Sequence, residues 1–168
     1  MTSAGLNPEL WRLQPAPIAT EDDIRRYVQT ALNDQQRASS LPFVMVDSAT
    51  DQVIGSTRYM DIALQHFRLE IGATWLTPAY QRSRANTEAK LLLPTRASEN
   101  LGIKRVVFKT EALNKQSRRA LARIGAVEVG TFRQHLYTTS GRARDMVYFS
   151  ILGGEWPGVK AKLTAKLT

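Results

Sequence analysis

Apolar and polar positions along this chain follow two rhythms, and the switches between them mark its elements. From Ile24 the apolar residues Tyr27, Val28, Ala31 and Leu32 recur at i+3, i+4, i+7 and i+8, the spacing of one helical face. Thr20 with Asp23 three residues on supplies an N-terminal cap, and the polar run 33–40 ends that helix. Three β-prone runs follow: Leu41–Val46, Val53–Ile62 after the turn-rich 47–52, and Arg68–Leu76. Thr77-Pro78 closes the third run and a polar loop, 80–85, leads into a helix. That helix is expected to open at Asn86 or Thr87 and run to Leu101, with Pro94 kinking it and Gly102 stopping it. Val106–Thr110 reads as a buried strand, Asn114–Ile124 as a helix stopped by Gly125, and 127–137 with 145–152 as a hairpin. Residues 155–167 form a short basic tail of helical composition. The order α-βββ-α-β-α-ββ predicts an α/β (α+β) domain, one mixed sheet covered by helices, over residues 20–168. Residues 1–19, broken by Pro8, Pro15 and Pro17, read as an irregular arm.

Composition narrows the chemistry. The 168 residues include no cysteine and only two histidines, His66 and His135, so thiolate zinc, iron–sulfur clusters, disulfides and a three-histidine zinc site are excluded and no metal is expected. No apolar run reaches the length of a membrane span, and the first residues lack the basic and apolar stretches of a signal peptide. A cytoplasmic protein with no membrane partner is expected. The net charge is +8. Residues 82–119 carry ten basic and three acidic side chains, so most of the excess lies in this stretch and should attract an anion. Charge leaves nucleic acid and a phosphate-rich cofactor both open. Phe108 lies in an apolar strand, so no exposed aromatic platform for single-stranded nucleic acid is evident.

Four segments resemble the GNAT N-acetyltransferases, closest to the branch that acetylates ribosomal protein N-termini. They are Leu69 to Tyr80, Asn86 to Leu93, Asn114 to Ala126, and Gly141 to Leu152 with Glu155-Trp156-Pro157 behind it. The resemblance covers residues 41–159 and implies a mostly antiparallel GNAT sheet, acetyl-CoA as cosubstrate and an amine acceptor, either a protein N-terminus or a small amine. Family members usually begin with a strand that the proline-broken arm here cannot supply. The Leu41–Val46 strand is therefore expected to have an open edge, closed by a weak homodimer or by the arm packing irregularly over it.

The same resemblance assigns roles. The loop and helix start formed by Arg82, Ser83, Arg84, Ala85, Asn86 and Thr87 would hold the CoA diphosphate, although Arg82 and Arg84 stand where the family's loop has glycines. The physics agrees: a helix N-terminus offers unpaired N–H groups and positive potential, and guanidiniums pair with phosphate directly. Asn114 would bind the pantetheine arm and Ser117 would protonate the leaving thiolate, with Tyr137 and Tyr148 as fallback acids. Backbone near Trp75, Leu76 and Thr77 would polarise the acyl carbonyl. Glu70, alternating with Gly72 and Thr74 on one strand face, is the candidate base, ahead of His66, His135 and Asp145. Each has a plainer reading: Asn114 as an ordinary helix cap, Glu70 as a salt-bridged strand residue, Trp75 as core. The loops 33–40 and 63–67 are expected to shape the acceptor pocket. Two rival functions remain, a CoA-binding relative without catalysis and a basic nucleic-acid-binding domain.

Overall fold

The computed structural model describes residues 2–14 and 16–168. Six strands form one sheet in the order β1-β2-β3-β4-β6-β5: β1 (Leu41–Asp47), β2 (Gln52–Ala63), β3 (Arg68–Leu76), β4 (Arg105–Glu111), β5 (Val127–Tyr137) and β6 (Ala143–Leu152). Every neighbouring pair is antiparallel except β3 and β4, which are parallel and joined by a helical crossover. The helices are α1 (Thr2–Gly5), α2 (Glu21–Gln36), α3 (Arg84–Thr95), α4 (Lys115–Arg123) and α5 (Trp156–Ala165). Among the described residues no helix is long and apolar enough to cross a membrane.

Local chemistry sets most element ends. The Thr20 hydroxyl accepts from the Asp23 amide while the Asp23 carboxylate accepts from the Thr20 amide, so the expected cap of α2 is a full capping box. α3 opens at Arg84, earlier than expected, because the Ser83 hydroxyl caps it and accepts from Ala85 N at 3.2 Å. Beyond Pro94 the α-helical ladder gives way to a π turn, Arg96–Asn100, and the chain turns out at Gly102 with φ +67°. This wider turn is where a ladder interrupted by a proline resolves itself. The expected basic tail is instead a structural helix: Trp156, Val159 and Leu163 of α5 are buried.

One face of the sheet presents Leu69, Ile71, Val106, Phe108, Val147, Phe149 and Ile151 to α3, α4 and α5, forming the main core. The Tyr59 hydroxyl, buried beneath α3, donates to the Leu93 carbonyl at 2.6 Å. A smaller cluster of Trp11, Ile18, Ile24 and Trp75 packs α2 and the N-terminal segment onto the opposite face. That segment contains α1 and a single 3-10 turn, Pro8–Leu10, with no strand among its described residues.

Among the described residues no part of the N-terminal segment pairs with the β1 edge. The segment crosses the second sheet face, from Trp11 against Trp75 of β3 to the Leu13 carbonyl, which accepts from Arg144 Nη2 of β6 at 2.8 Å. Arg144 is itself held by Glu111 of β4 at 2.8 Å, and Arg142 pairs with the same carboxylate. A chain with two such anchors is drawn across the sheet and away from its edge.

Candidate active site

β3 and β4 pair at three positions only: Arg68 with Arg105, Leu69 with Val106, and Glu70 with Val107. Both strands then continue, to Leu76 and Glu111, without bonding one another. The result is a wedge-shaped gap in the middle of the sheet, which exposes backbone polar groups that a ladder would otherwise satisfy. A bulge in β3 sits beside it. Gly72 pairs with Arg58 and Trp75 with Ser56, so Ala73 and Thr74 share the place opposite Thr57, with Ala73 at φ +48°. The bulge overturns one expectation: Thr74 does not share the Glu70 face but lies with its hydroxyl 2.8 Å from that of Thr57.

Two helix starts flank the gap. Before α3, Arg82 adopts φ +61°, the left-handed conformation for which a glycine would be the easy choice. The Ser83 hydroxyl donates to the Tyr80 carbonyl at 2.6 Å and caps the helix. Arg82 and Arg84 are exposed, and among the described residues neither pairs with a carboxylate. Ala85 and Asn86 are half-buried and Thr87 is buried in the first two turns. Before α4, the Asn114 side-chain carbonyl accepts from Ser117 N at 3.0 Å, so the plainer reading of Asn114 as a cap holds and its amide NH2 stays free for a further role. The half-buried Ser117 hydroxyl has no hydrogen-bond partner among the described residues. Gln116 of α4 reaches Gln81 of the loop at 3.4 Å, linking the two helix starts across the top of the gap.

Of the backbone groups expected to act near the strand end, Thr77 N–H is spent on the Ile54 carbonyl at 2.8 Å. Alternation along the strand then turns the Leu76 N–H away from β2, toward the gap. Trp75 is core, packed on Trp11 and Ile24.

On the second sheet face the gap begins at Glu70, whose side chain is 3% exposed and whose carboxylate lies 3.0 Å from Lys109 Nζ. Burial raises the Glu70 pKa, and the ammonium of Lys109 partly offsets the shift. Gly72 makes room for it: a Cβ there would lie 2.5 Å from Glu70 Oε1 and 3.0 Å from Met60 Sδ. Lys109 is directly opposite Tyr148, whose pKa burial also raises, and the Tyr148 hydroxyl is 3.0 Å from His135 Nε2. Phe132 packs edge-on against Tyr148. A carboxylate, an ammonium, a phenol and an imidazole thus form a row across four strands, β3, β4, β6 and β5.

The other sequence candidates lie apart from this row. Tyr137 is exposed at the far end of the β5–β6 hairpin, and His66 is exposed in the turn before β3, at the closed end of the gap. The 63–67 loop shares that closed end and so does not border the wedge. The 33–40 segment approaches the second face through Asp34, 4.0 Å from Arg58. Asp145 is committed to the β5 bulge, accepting from Gln134 N at 2.7 Å. The Glu70–Lys109 pair and the Tyr148–His135 contact were missed by sequence reasoning. A lysine inside the apolar run Val106–Thr110 was the available signal.

A mixed sheet parted between two parallel strands, with helix N-termini converging on the gap, defines an acyl-CoA transferase architecture. Residues 3–127 match the acetyltransferase (GNAT) domain family, and the chain belongs to it. It is 37% identical over 93 residues to the Bacillus subtilis (strain 168) protein named "Putative ribosomal N-acetyltransferase YdaF". That match takes in 55% of this chain and 50% of the Bacillus protein, so it spans half the length of the curated relative. A GCN5-related N-acetyltransferase from Brucella melitensis superposes with a TM-score of 0.89 at 30% identity, covering 99% of this chain and 75% of its own. Mycobacterium smegmatis RimJ, solved in complex with CoA-disulfide, shares the fold with a TM-score of 0.74 at 19% identity over 88% of this chain and 69% of its own.

Proposed function

We propose that this protein is an acetyl-CoA-dependent N-acetyltransferase that moves an acetyl group to a primary amine, a protein N-terminus or a small amine, by direct transfer. The observation that carries this reading is the parting of β3 and β4 after Glu70–Val107 between two helix N-termini. The gap accommodates a slender chain, and the uncommitted groups around it match that chain's chemistry. When bound, acetyl-CoA supplies an activated acetyl thioester. The first-turn amides of α3, with Arg82 and Arg84, hold the diphosphate. The Asn114 amide and the Leu76 N–H, both uncommitted, serve the pantetheine arm and the acyl oxygen.

From the opposite face Glu70 accepts the proton that the attacking amine must lose, directly or through water. Its raised pKa moves the base nearer the amine's own range while Lys109 keeps it ionisable. The Ser117 hydroxyl gives a proton to sulfur as the C–N bond forms and the C–S bond breaks. Most of the acceleration comes from holding the two reactants in the gap. The family membership and the RimJ complex with CoA-disulfide support the cosubstrate, and the Bacillus relative's name, a ribosomal N-acetyltransferase, supports an amine on a ribosomal component as one acceptor class.

The test is thiol release from acetyl-CoA against a panel of peptides with free N-termini and small amines. Release stimulated by an amine, with acetylated product confirmed by mass, is expected. Tight CoA binding without any amine-stimulated release would favour a non-catalytic CoA-binding protein. Salt-sensitive binding of DNA or RNA with indifference to CoA would overturn the reading altogether.

A further inference from the structure

Lys90 occupies a position in α3 that ordinary packing would give to an apolar residue. It falls on the core face of the helix with Thr87, Leu93 and Pro94, and it is 6% exposed. Among the described residues no carboxylate, carbonyl or hydroxyl accepts from its ammonium, which rests 4.8 Å above the ring of Phe108. A cation–π contact returns only part of what burying an ammonium costs, and burial lowers the pKa to about 8. Such a group is retained against the interest of the fold, which asks what it serves.

Its place in the fold answers. α3 runs antiparallel to β3 and β4, with Leu93 set over Tyr59 and Ile71. One helical turn toward the α3 N-terminus, Lys90 stands over Phe108, the first residue of β4 beyond the last pairing with β3. The ammonium therefore lies on the helix side of the sheet, below the start of α3. It is also not among the fully enclosed orphan polar atoms, which are Ser40 Oγ, Arg58 Nε and Trp75 Nε1. Among the described residues it is a donor without a hydrogen-bond partner, set over the first β4 residue past the last pairing with β3.

We infer that Lys90 is a positioning residue for the acyl carrier, donating a hydrogen bond to an amide carbonyl of the pantetheine arm. This rests on the acetyl-CoA reading above and adds a residue to it. The proposed diphosphate site recognises phosphate at the α3 start. Lys90, deeper and in apolar surroundings, recognises the uncharged arm, where a single charge-assisted bond has most effect.

Three proteins separate the possibilities: wild type, Lys90→Met, which keeps the volume of the side chain, and Lys90→Gln, which keeps a donor. Calorimetric titration with CoA and with pantetheine, which lacks the phosphates, is expected to show Lys90→Met weakening both about tenfold, the worth of one such bond. Thermal stability should stay equal or rise, and Lys90→Gln should recover part of the affinity. As an independent readout, CoA should protect Lys90 from amine-directed labelling followed by mass spectrometry. Unchanged CoA affinity in Lys90→Met would overturn the inference, as would a loss confined to CoA, which would make Lys90 a phosphate ligand. Loss of affinity together with loss of stability, without recovery in Lys90→Gln, would reduce it to a structural residue. Failure of the wild type to bind CoA would overturn the acetyl-CoA reading itself, and this inference with it.

Discussion

A single hydroxyl tests the chemistry most directly. Ser117 sits in the first turn of α4, but its amide is already capped by Asn114 and its hydroxyl is unengaged. Ser117→Ala should therefore leave stability within about 0.5 kcal/mol, as for a surface substitution, and CoA affinity nearly unchanged. If the hydroxyl protonates the leaving sulfur, turnover falls ~10²-fold or more. Full activity would pass the role to Tyr148, whose hydroxyl already holds His135. If Glu70 is the base, it carries the pH dependence. Its folded pKa lies above the ordinary carboxylate value, so the base form grows as pH rises through that raised pKa. Activity should follow as an acid limb in the profile of kcat/KM, and Glu70→Gln should abolish that limb.

Lys90 has the opposite sign. Its folded pKa, about 8, is below the 10.5 of the free side chain, so the unfolded chain binds more protons between those values and stability rises with pH across that window. Lys90→Met should be more stable than wild type at neutral pH, by up to about 3 kcal/mol, because burial holds the Lys90 pKa down at about 8. The advantage should fade from pH 8 toward 10.5 in paired thermal melts.

Elements written in local chemistry were legible in the sequence. The α2 capping box, the β3 limits, the α4 start and the β5–β6 hairpin follow from periodicity and turn residues, while α3 opens two residues earlier than that pattern implies. What escaped are features set by pairing. Whether β3 and β4 stay together past Glu70 depends on neither strand alone, and the Ala73 bulge that reassigns Thr74 shows no glycine or proline to announce it. The α3 entry carries arginines where the family's loop has glycines, yet Arg82 adopts the left-handed turn regardless. An arginine pays for that conformation, and the structure leaves its guanidinium free in return. Arg82→Ala with Arg84→Ala should weaken CoA by about 1–3 kcal/mol while leaving pantetheine binding intact, measured by the same titration. Equal losses for both ligands would show that the loop serves something other than phosphate.

For the whole molecule, the buried cluster of Glu111, Arg142 and Arg144 ties the last hairpin to β4 and to the N-terminal segment. Removing the shared carboxylate strands two guanidiniums, one of them buried. Glu111→Leu should cost about 3–5 kcal/mol in chemical denaturation, well beyond a surface substitution. Among the described residues no strand pairs with the outer edge of β1, and Val44 and Val46 on it are about half exposed, so a weak dimer through it should appear as a rising average mass in concentrated sedimentation runs. A strict monomer there would end that idea.

The Arg144 grip on the Leu13 carbonyl also has a temporal side. It joins residues 131 positions apart in sequence, and synthesis proceeds at roughly 5–20 residues per second. The N-terminal segment thus waits about 7 to 26 seconds after its own synthesis for its second anchor to be made. Its first anchor, Trp75, arrives earlier, so the nascent chain passes through a stage in which this segment is pinned at one end and loose at the other. Proteolysis of chains arrested just before and just after β6 should find residues 12–14 cleavable in the first and shielded in the second.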